Sequence, residues 1–197
     1  MYVKTKAIVI DNTPSSQKQN RVILFTEEFG KISVFLKSYG TGVNHWAGVF
    51  EMGNFLEVTM LKRFHSFLIT GFKLLKEARD RELEEFALKA LVFEATNEIL
   101  PLEEKNTYLF KWLKWTLSNL SEKKVAVYLA HLIYREGFFP FENNEMKNLI
   151  KKGFEEFLKH KEETEVLKII EKEVRHIERF AETKIKSFEL IKRLKVF

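Results

Sequence analysis

Apolar and polar positions alternate with a period of two along the first third of the chain, and with a helical period thereafter. From Val3 to Ile10, Val3, Thr5, Ala7 and Val9 oppose Lys4, Lys6, Ile8 and Ile10, which predicts a strand. Asp11 to Gln17 is rich in turn formers and reads as a polar loop. Arg21 to Lys37 reads as two strands joined by a tight turn. Val22 to Thr26 and Ile32 to Phe35 supply β-branched and aromatic residues, and Gly30 can take the positive φ that the turn needs. The first arm is nearly continuous in apolar residues, which predicts burial on both faces, as in a small closed barrel. The second arm carries Lys31, Ser33 and Lys37 along a polar, basic face. Ser38 to Asn54 contains Gly40, Gly42, Gly48 and Gly53 and has no period, so it reads as a loop. Asn54 to Leu61 and Phe64 to Leu75 predict a fourth and a fifth strand, with Lys62 and Arg63 at their connection.

From about Lys76 the period becomes helical. Asp80 can cap a first helix whose stripe is Leu83, Phe86, Ala87, Ala90 and Leu91, widened by Leu88, Val92 and Phe93 and ended by Pro101. Asn106 or Thr107 caps a second, through Leu109, Trp112, Leu113, Thr116 and Leu120, and Ser121 caps a third that stops at Gly137. A fourth is expected from near Asn144 to His160 and a fifth from Glu163 to Ala181 on Val166, Ile170, Val174, Ile177 and Phe180. A short sixth follows Ser187. Strands first and helices second predict an α+β multidomain protein. A small five-stranded OB-like β-barrel (residues 1–76) precedes an all-α helical domain (residues 77–197). In barrels of this type the second and third strands and the 1–2 and 4–5 loops form the binding face.

Composition narrows the chemistry. With 197 residues, 45% apolar and 31% charged, each domain can bury a core. The absence of cysteine excludes disulfides, thiolate zinc sites and a cysteine nucleophile. No signal-peptide pattern opens the chain and no apolar run is long enough to span a membrane, so a soluble cytoplasmic protein is expected. There is no glycine-rich phosphate loop, H-E-x-x-H or G-x-S-x-G, and His45, His65, His131, His160 and His176 are scattered. The expectation is a protein without catalytic residues, metal or cofactor.

Net charge is +5, and residues through Leu75 hold nine Lys/Arg against five Asp/Glu, so the excess sits in the barrel. That balance suits either an ordinary solvated surface or a polyanion contact. Lys62 and Arg63 beside Phe64, His65 and Phe67 have the composition of a single-strand platform, in which cations follow the backbone and rings stack on bases. Core is the other reading of both phenylalanine rings, and it is the one Phe67 suits better. The candidate nucleic-acid contacts are Lys4, Lys6, Arg21, Lys31, Lys37, Lys62, Arg63, Phe64 and His65. In the helical domain, Trp112, Trp115, Tyr128 and Tyr134 alternate with Lys111, Lys114, Lys123, Lys124 and Arg135. Trp112 and Trp115 finish the core or edge a docking pocket, and Lys111, Lys114 and Arg135 would rim that pocket.

Leu24-Phe25-Thr26-Glu27-Glu28-Phe29-Gly30-Lys31-Ile32-Ser33, followed by Lys37, resembles the hairpin of the bacterial RecO recombination mediators. Glu136-Gly137-Phe138-Phe139-Pro140 is similar to the family's Gly-aromatic-x-Pro segment, and Lys184-Ile185-Lys186-Ser187 to its C-terminal Lys-x-x-Ser. Many members carry a four-cysteine zinc module after the proline; here Phe141 to Glu145 leads straight into a predicted helix, so the module is absent. A usual glutamate appears as Gln17, and a basic Lys-Gly-Ala-Arg stretch as Lys37-Ser38-Tyr39-Gly40. The resemblance implies sequence-tolerant binding of single- and double-stranded DNA, strand annealing, and loading of RecA with RecR and single-strand-binding protein. It also implies that the helical domain receives the acidic-hydrophobic tail of the latter. The other reading of the same residues is a protein-interaction scaffold with little DNA affinity.

Overall fold

The computed structural model describes residues 1–14, 19–37, 48–64, 66–80, 82–137 and 159–195. They form five strands and then five helices, an OB-like domain followed by a helical one. The strands are β1 (Tyr2–Pro14), β2 (Gln19–Thr26), β3 (Gly30–Lys37), β4 (Phe55–Arg63) and β5 (Ser66–Lys76). The sheet is antiparallel in the order β3-β2-β1-β4-β5, and it curls until its edge strands β3 and β5 approach each other.

Period-two patterning explains what fills the barrel. Ala7, Val9, Leu24, Val34, Val58 and Met60 point inward and are buried. The other side of β2 is buried too: Ile23 and Phe25 are sealed along with Val22 and Leu24, as their continuous apolar run predicts. Phe110 meets the outward ring of Phe25 edge-on at 5.7 Å and that of Phe55 at 6.5 Å. The β2–β3 turn is held by Thr26, whose hydroxyl donates to the Gly30 carbonyl (2.9 Å) and accepts from the Phe29 amide (3.0 Å). Gly30 has φ +67°, and a Cβ there would lie 1.8 Å from the Glu104 carbonyl oxygen. Two demands therefore meet on that glycine, a left-handed turn and a crossing segment of backbone.

Two strand boundaries differ from the sequence reading. Asp11 to Pro14 is not a loop but pairs with Asn20 to Ile23. A register shift between Val9 and Asp11 breaks the apolar alternation there and hides the strand's continuation. The fifth strand begins at Ser66, which leaves Phe64 in the turn.

The helices are α1 (Leu83–Ile99), α2 (Thr107–Ser118), α3 (Glu122–Arg135), α4 (Glu163–Ala181) and α5 (Lys186–Leu194). Compactness divides the chain into Met1–Arg79 with Leu100–Phe110, and Asp80–Ile99 with Lys111–Phe197. The first unit thus takes in an eleven-residue piece that follows α1, where the strand and helix patterns alone put a single boundary after residue 76. This piece is tied down by the Glu103 amide donating to the Lys31 carbonyl (2.7 Å) and by Lys105 paired with Glu28 at 2.7 Å.

In the second unit α1 is buried over most of its circumference, although Leu83 and Phe86 stay exposed. Asp80 does not cap it; Asp80 pairs instead with the buried Lys89 at 2.6 Å, which leaves that ammonium compensated. Asn106 accepts from the Leu109 amide and Ser121 from the Lys124 amide, so both expected caps form. Gly137 closes α3 at φ +78°. Along α4, Val166, Ile170, Val174 and Ile177 are buried, whereas Phe180, which the period put in the same stripe, is exposed. Glu94 reaches the start of α5 and accepts from the amides of Lys186 and Ser187 (2.9 Å each) and from the Ser187 hydroxyl (2.6 Å). Lys195 joins Glu84, Glu122 and Glu163 of three other helices. Burial is the largest single influence on the Glu122 carboxylate and pushes its pKa up, but the Lys195 hydrogen bond, a backbone hydrogen bond and the Lys195 charge together outweigh it and hold the carboxyl below its ordinary range. The fourth predicted helix, from near Asn144, falls outside the described residues except at its end, as do Gln17, His45 and Phe138 to Pro140.

Candidate nucleic-acid interface

Antiparallel pairing sets the positions of the candidate cations. On β1, Tyr2, Lys4 and Lys6 alternate with the inward residues and therefore share the outer face. Lys4 lies opposite Thr59 and Lys6 opposite Glu57, and Glu57 is in turn opposite Lys73 on β5. Lys4 crosses to Glu57 at 2.8 Å. That hydrogen bond, aided by the fields of Lys4, Lys73 and Lys6, holds the Glu57 carboxyl below the ordinary range. One carboxylate among three lysines leaves this face of β1, β4 and β5 net positive.

The β4–β5 turn adds to the same end of the barrel. Lys62 stands opposite Phe67 and Arg63 opposite Ser66, and the Lys62 amide donates to the Met1 carbonyl at 3.0 Å. The Lys62 ammonium sits 5.3 Å from the ring centre of Phe29 and 5.7 Å from that of Phe67, two rings that meet at 5.4 Å. Such a contact adds about 0.5–1 kcal/mol at an exposed site and aims the cation while its stem packs. Phe67 is core, at 6% exposure, while Phe64 is 94% exposed beside Arg63. An exposed ring flanked by two cations can stack on an unpaired base while the cations meet phosphates.

Lys31 and Arg21 do not join this group. Lys31 is buried at 7% exposure, under the strap that brings Leu102 alongside it, so it is not offered to a ligand as its alternation with Ser33 suggests. Arg21 is exposed and donates to the Ser33 hydroxyl at 3.1 Å. It pairs with Thr13, nine residues beyond Lys4 on β1, so it lies roughly 30 Å along the strand from Lys4 and farther still from the turn. Lys37 ends β3 opposite Gln19, at that same far end; its side chain and His65 lie outside the described residues. Tyr2, Phe29 and Lys73 were missed as site residues. The alternation that exposes Lys4 and Lys6 also exposes Tyr2, but nothing local could bring Phe29 to Lys62.

In the helical unit, Lys111 and Lys114 are exposed and Trp112 and Trp115 half-buried, with the two indoles edge-on at 5.2 Å. Trp112 stacks on His131 of α3 at 4.0 Å, and burial pushes that imidazole down to a pKa of about 4. Arg135, exposed, follows His131 by one helical turn. Lys124 sits 4.4 Å from the centre of the Trp115 ring and donates to its carbonyl. Tyr128 is not at the surface: it is fully buried and shares a hydrogen bond with Thr96 at 2.7 Å. Among the described residues, no three His, Asp or Glu side chains gather to hold a metal ion, and no helix is long and apolar enough to cross a membrane.

Fold and site together define a two-domain protein, a small OB-like barrel with a cationic, aromatic end and an all-α unit behind it in sequence. No protein-family model matches the chain. Curated relatives do. The chain is 30% identical over 154 residues to the DNA repair protein RecO of Chlorobium phaeobacteroides (strain BS1), which covers 71% of this chain and 58% of that protein. It is 28% identical over 150 residues to RecO of Prosthecochloris aestuarii, covering 71% and 57%. RecO of Caldanaerobacter subterraneus subsp. tengcongensis is 24% identical over 147 residues, covering 71% and 60%. Over about 71% of its length the chain is thus similar to the RecO family of DNA repair proteins. Its match spans less than two thirds of the length of these relatives.

Proposed function

We propose that this chain is a non-enzymatic mediator of DNA repair and recombination, working in the cytoplasm at the nucleoid. It binds single- and double-stranded DNA without reading sequence, anneals strands, and helps load RecA onto strands covered by single-strand-binding protein, in company with RecR. Kinship with RecO proteins supports the reading, and one structural observation carries it. Lys62, Arg63 and the exposed Phe64 stand at the end of an OB-like barrel whose adjoining face presents Lys4, Lys6 and Lys73. Cations of this kind fix phosphates and give no base readout, so binding is salt-sensitive and sequence-tolerant. The half-buried tryptophans beside Lys111 and Lys114 would take the tail of single-strand-binding protein, the aromatic side chain against the indoles and the carboxylate on the cations.

The test is a salt titration of oligonucleotide binding by the wild type and by Lys62→Ala/Arg63→Ala. The variant is expected to bind more weakly and to flatten the slope by about 1.4 for a single strand, two contacts at about 0.7 each. Unchanged affinity and slope would remove the β4–β5 turn from the site. They would favour the scaffold reading, which the burial of Lys31 and the distance of Arg21 support. A tail peptide titrated against the whole chain tests the docking site through tryptophan fluorescence, with a C-terminally amidated peptide expected to fail.

A further inference from the structure

Outside the barrel, the described cations that gather most regularly lie on α4. Lys168, Lys172, Arg175 and Arg179 are all exposed. At 100° per residue they fall within about 60° of arc and cover about 16 Å of helix. Val166, Ile170, Val174 and Ile177 occupy the opposite, buried side. Beyond Arg179 the row continues to Lys184, in an open depression lined by Arg175, Glu178, Arg179, Glu182, Thr183 and Lys184. Glu178 is turned toward the Ile185 amide, which it accepts at 3.0 Å, so part of its charge is engaged there.

Ordinary helix economy does not account for this row. Glu163 and Glu165 in the first turn and Arg179 in the last suit the helix dipole, but Lys168, Lys172 and Arg175 stand in the middle turns where the dipole has no hold. Glu171 pairs with Arg175 at 2.6 Å. Among the described residues, Lys168 and Arg179 have neither an ion pair nor a side-chain hydrogen bond. No apolar side chain interrupts the exposed arc; Phe180 lies about 100° round from Arg179. A protein partner needs an apolar or aromatic anchor among such charges, whereas a phosphate backbone needs only spaced cations.

We infer that the α4 ridge from Lys168 through Arg179 to Lys184 is a second nucleic-acid contact, which takes the phosphate backbone of a DNA strand without reading its bases. This rests on the DNA-binding reading above and extends it. One chain then has two separate backbone contacts, the barrel end and the helical ridge, and can hold two strands at once.

The experiment compares oligonucleotide binding, followed by fluorescence anisotropy across a salt series, in four full-length proteins. They are wild type, Lys168→Ala/Arg179→Ala, Lys62→Ala/Arg63→Ala, and all four substitutions together. Circular dichroism melts check that each remains folded, and Lys168→Arg/Arg179→Lys keeps charge as a rescue control. The ridge variant is expected to lose about 1.4 from the salt slope, in addition to the loss in the barrel variant, with the rescue variant like wild type. A ridge variant that matches wild type in affinity and slope overturns the ridge and leaves the barrel reading standing. A wild type that binds no DNA overturns both. An acidic peptide of matched charge that competes as well as DNA, with its competition lost in the ridge variant, assigns the ridge to an acidic protein and overturns the nucleic-acid assignment.

Discussion

Gly30 shows how far a single residue can be read from sequence. The need for positive φ was legible from the turn; the backbone of Glu104 passing 1.8 Å from where a Cβ would stand was not, because that contact comes from 74 positions away. Gly30→Ala is therefore expected to cost about 2 kcal/mol or more, the left-handed strain and the displaced strap together, read as a lower urea midpoint. Glu173 was not legible either. It continues the buried stripe of α4, and neither of its carboxyl oxygens has a hydrogen-bond partner among the described residues. Burial pushes its pKa well up, so the folded chain keeps a proton that the unfolded chain releases near 4.5. Stability contributed by that proton is lost as pH rises above this value. Glu173→Leu should stabilise the protein, with a gap over wild type that widens as pH is raised from about 4 to 8. His131 has the opposite sign. Its pKa falls to about 4 through burial, so stability is lost as pH drops from the unfolded value near 6.5 toward 4. A gap for Glu173→Leu that stays flat with pH would mean that the carboxyl meets water in solution.

Among the elements, long periodic segments were legible and their junctions were not. The helix from Glu163 to Ala181 was predicted to the residue, because five apolar positions at helical spacing leave little choice. The β4–β5 turn shows the contrary case. Phe64 and Phe67 look alike in sequence, yet one is 94% and the other 6% exposed, a difference set by the register of β5. Phe64→Ala should leave the melting temperature unchanged and weaken single-strand binding by roughly 1–3 kcal/mol, about 5- to 140-fold. Equal affinity in the variant would show that this ring meets no base. The segment Lys184 to Ser187 has a structural account: the Lys186 and Ser187 amides and the Ser187 hydroxyl donate to Glu94 of α1 and so begin α5, while the Ile185 amide donates to Glu178. Glu94→Ala should destabilise the protein by about 1 kcal/mol and speed amide exchange over α5 ahead of the other helices. Uniform exchange across all helices would argue against Glu94 as the anchor.

At the scale of the molecule, the segregation of strands and helices was legible from the change of period near Lys76. The return of Leu100–Phe110 to the barrel unit was not, since a single bridge between Lys31 and Leu102 carries no repeating signal. The chain consequently crosses between its two units three times, after Arg79, after Ile99 and after Phe110. A gene that ends its message at codon 79 would make a barrel whose Phe25 and Phe55 have lost the ring of Phe110, and this fragment is expected to aggregate or melt well below the full chain. A fragment that matched the full chain in a thermal melt would refute that dependence. Shuffling between related genes meets the same constraint. A crossover near codon 80 joins one parent's strands to the other parent's strap, and Gly30 must then accept a foreign backbone at the position of Glu104. Lineages of this fold should therefore exchange the barrel and the strap as one heritable block, or exchange neither.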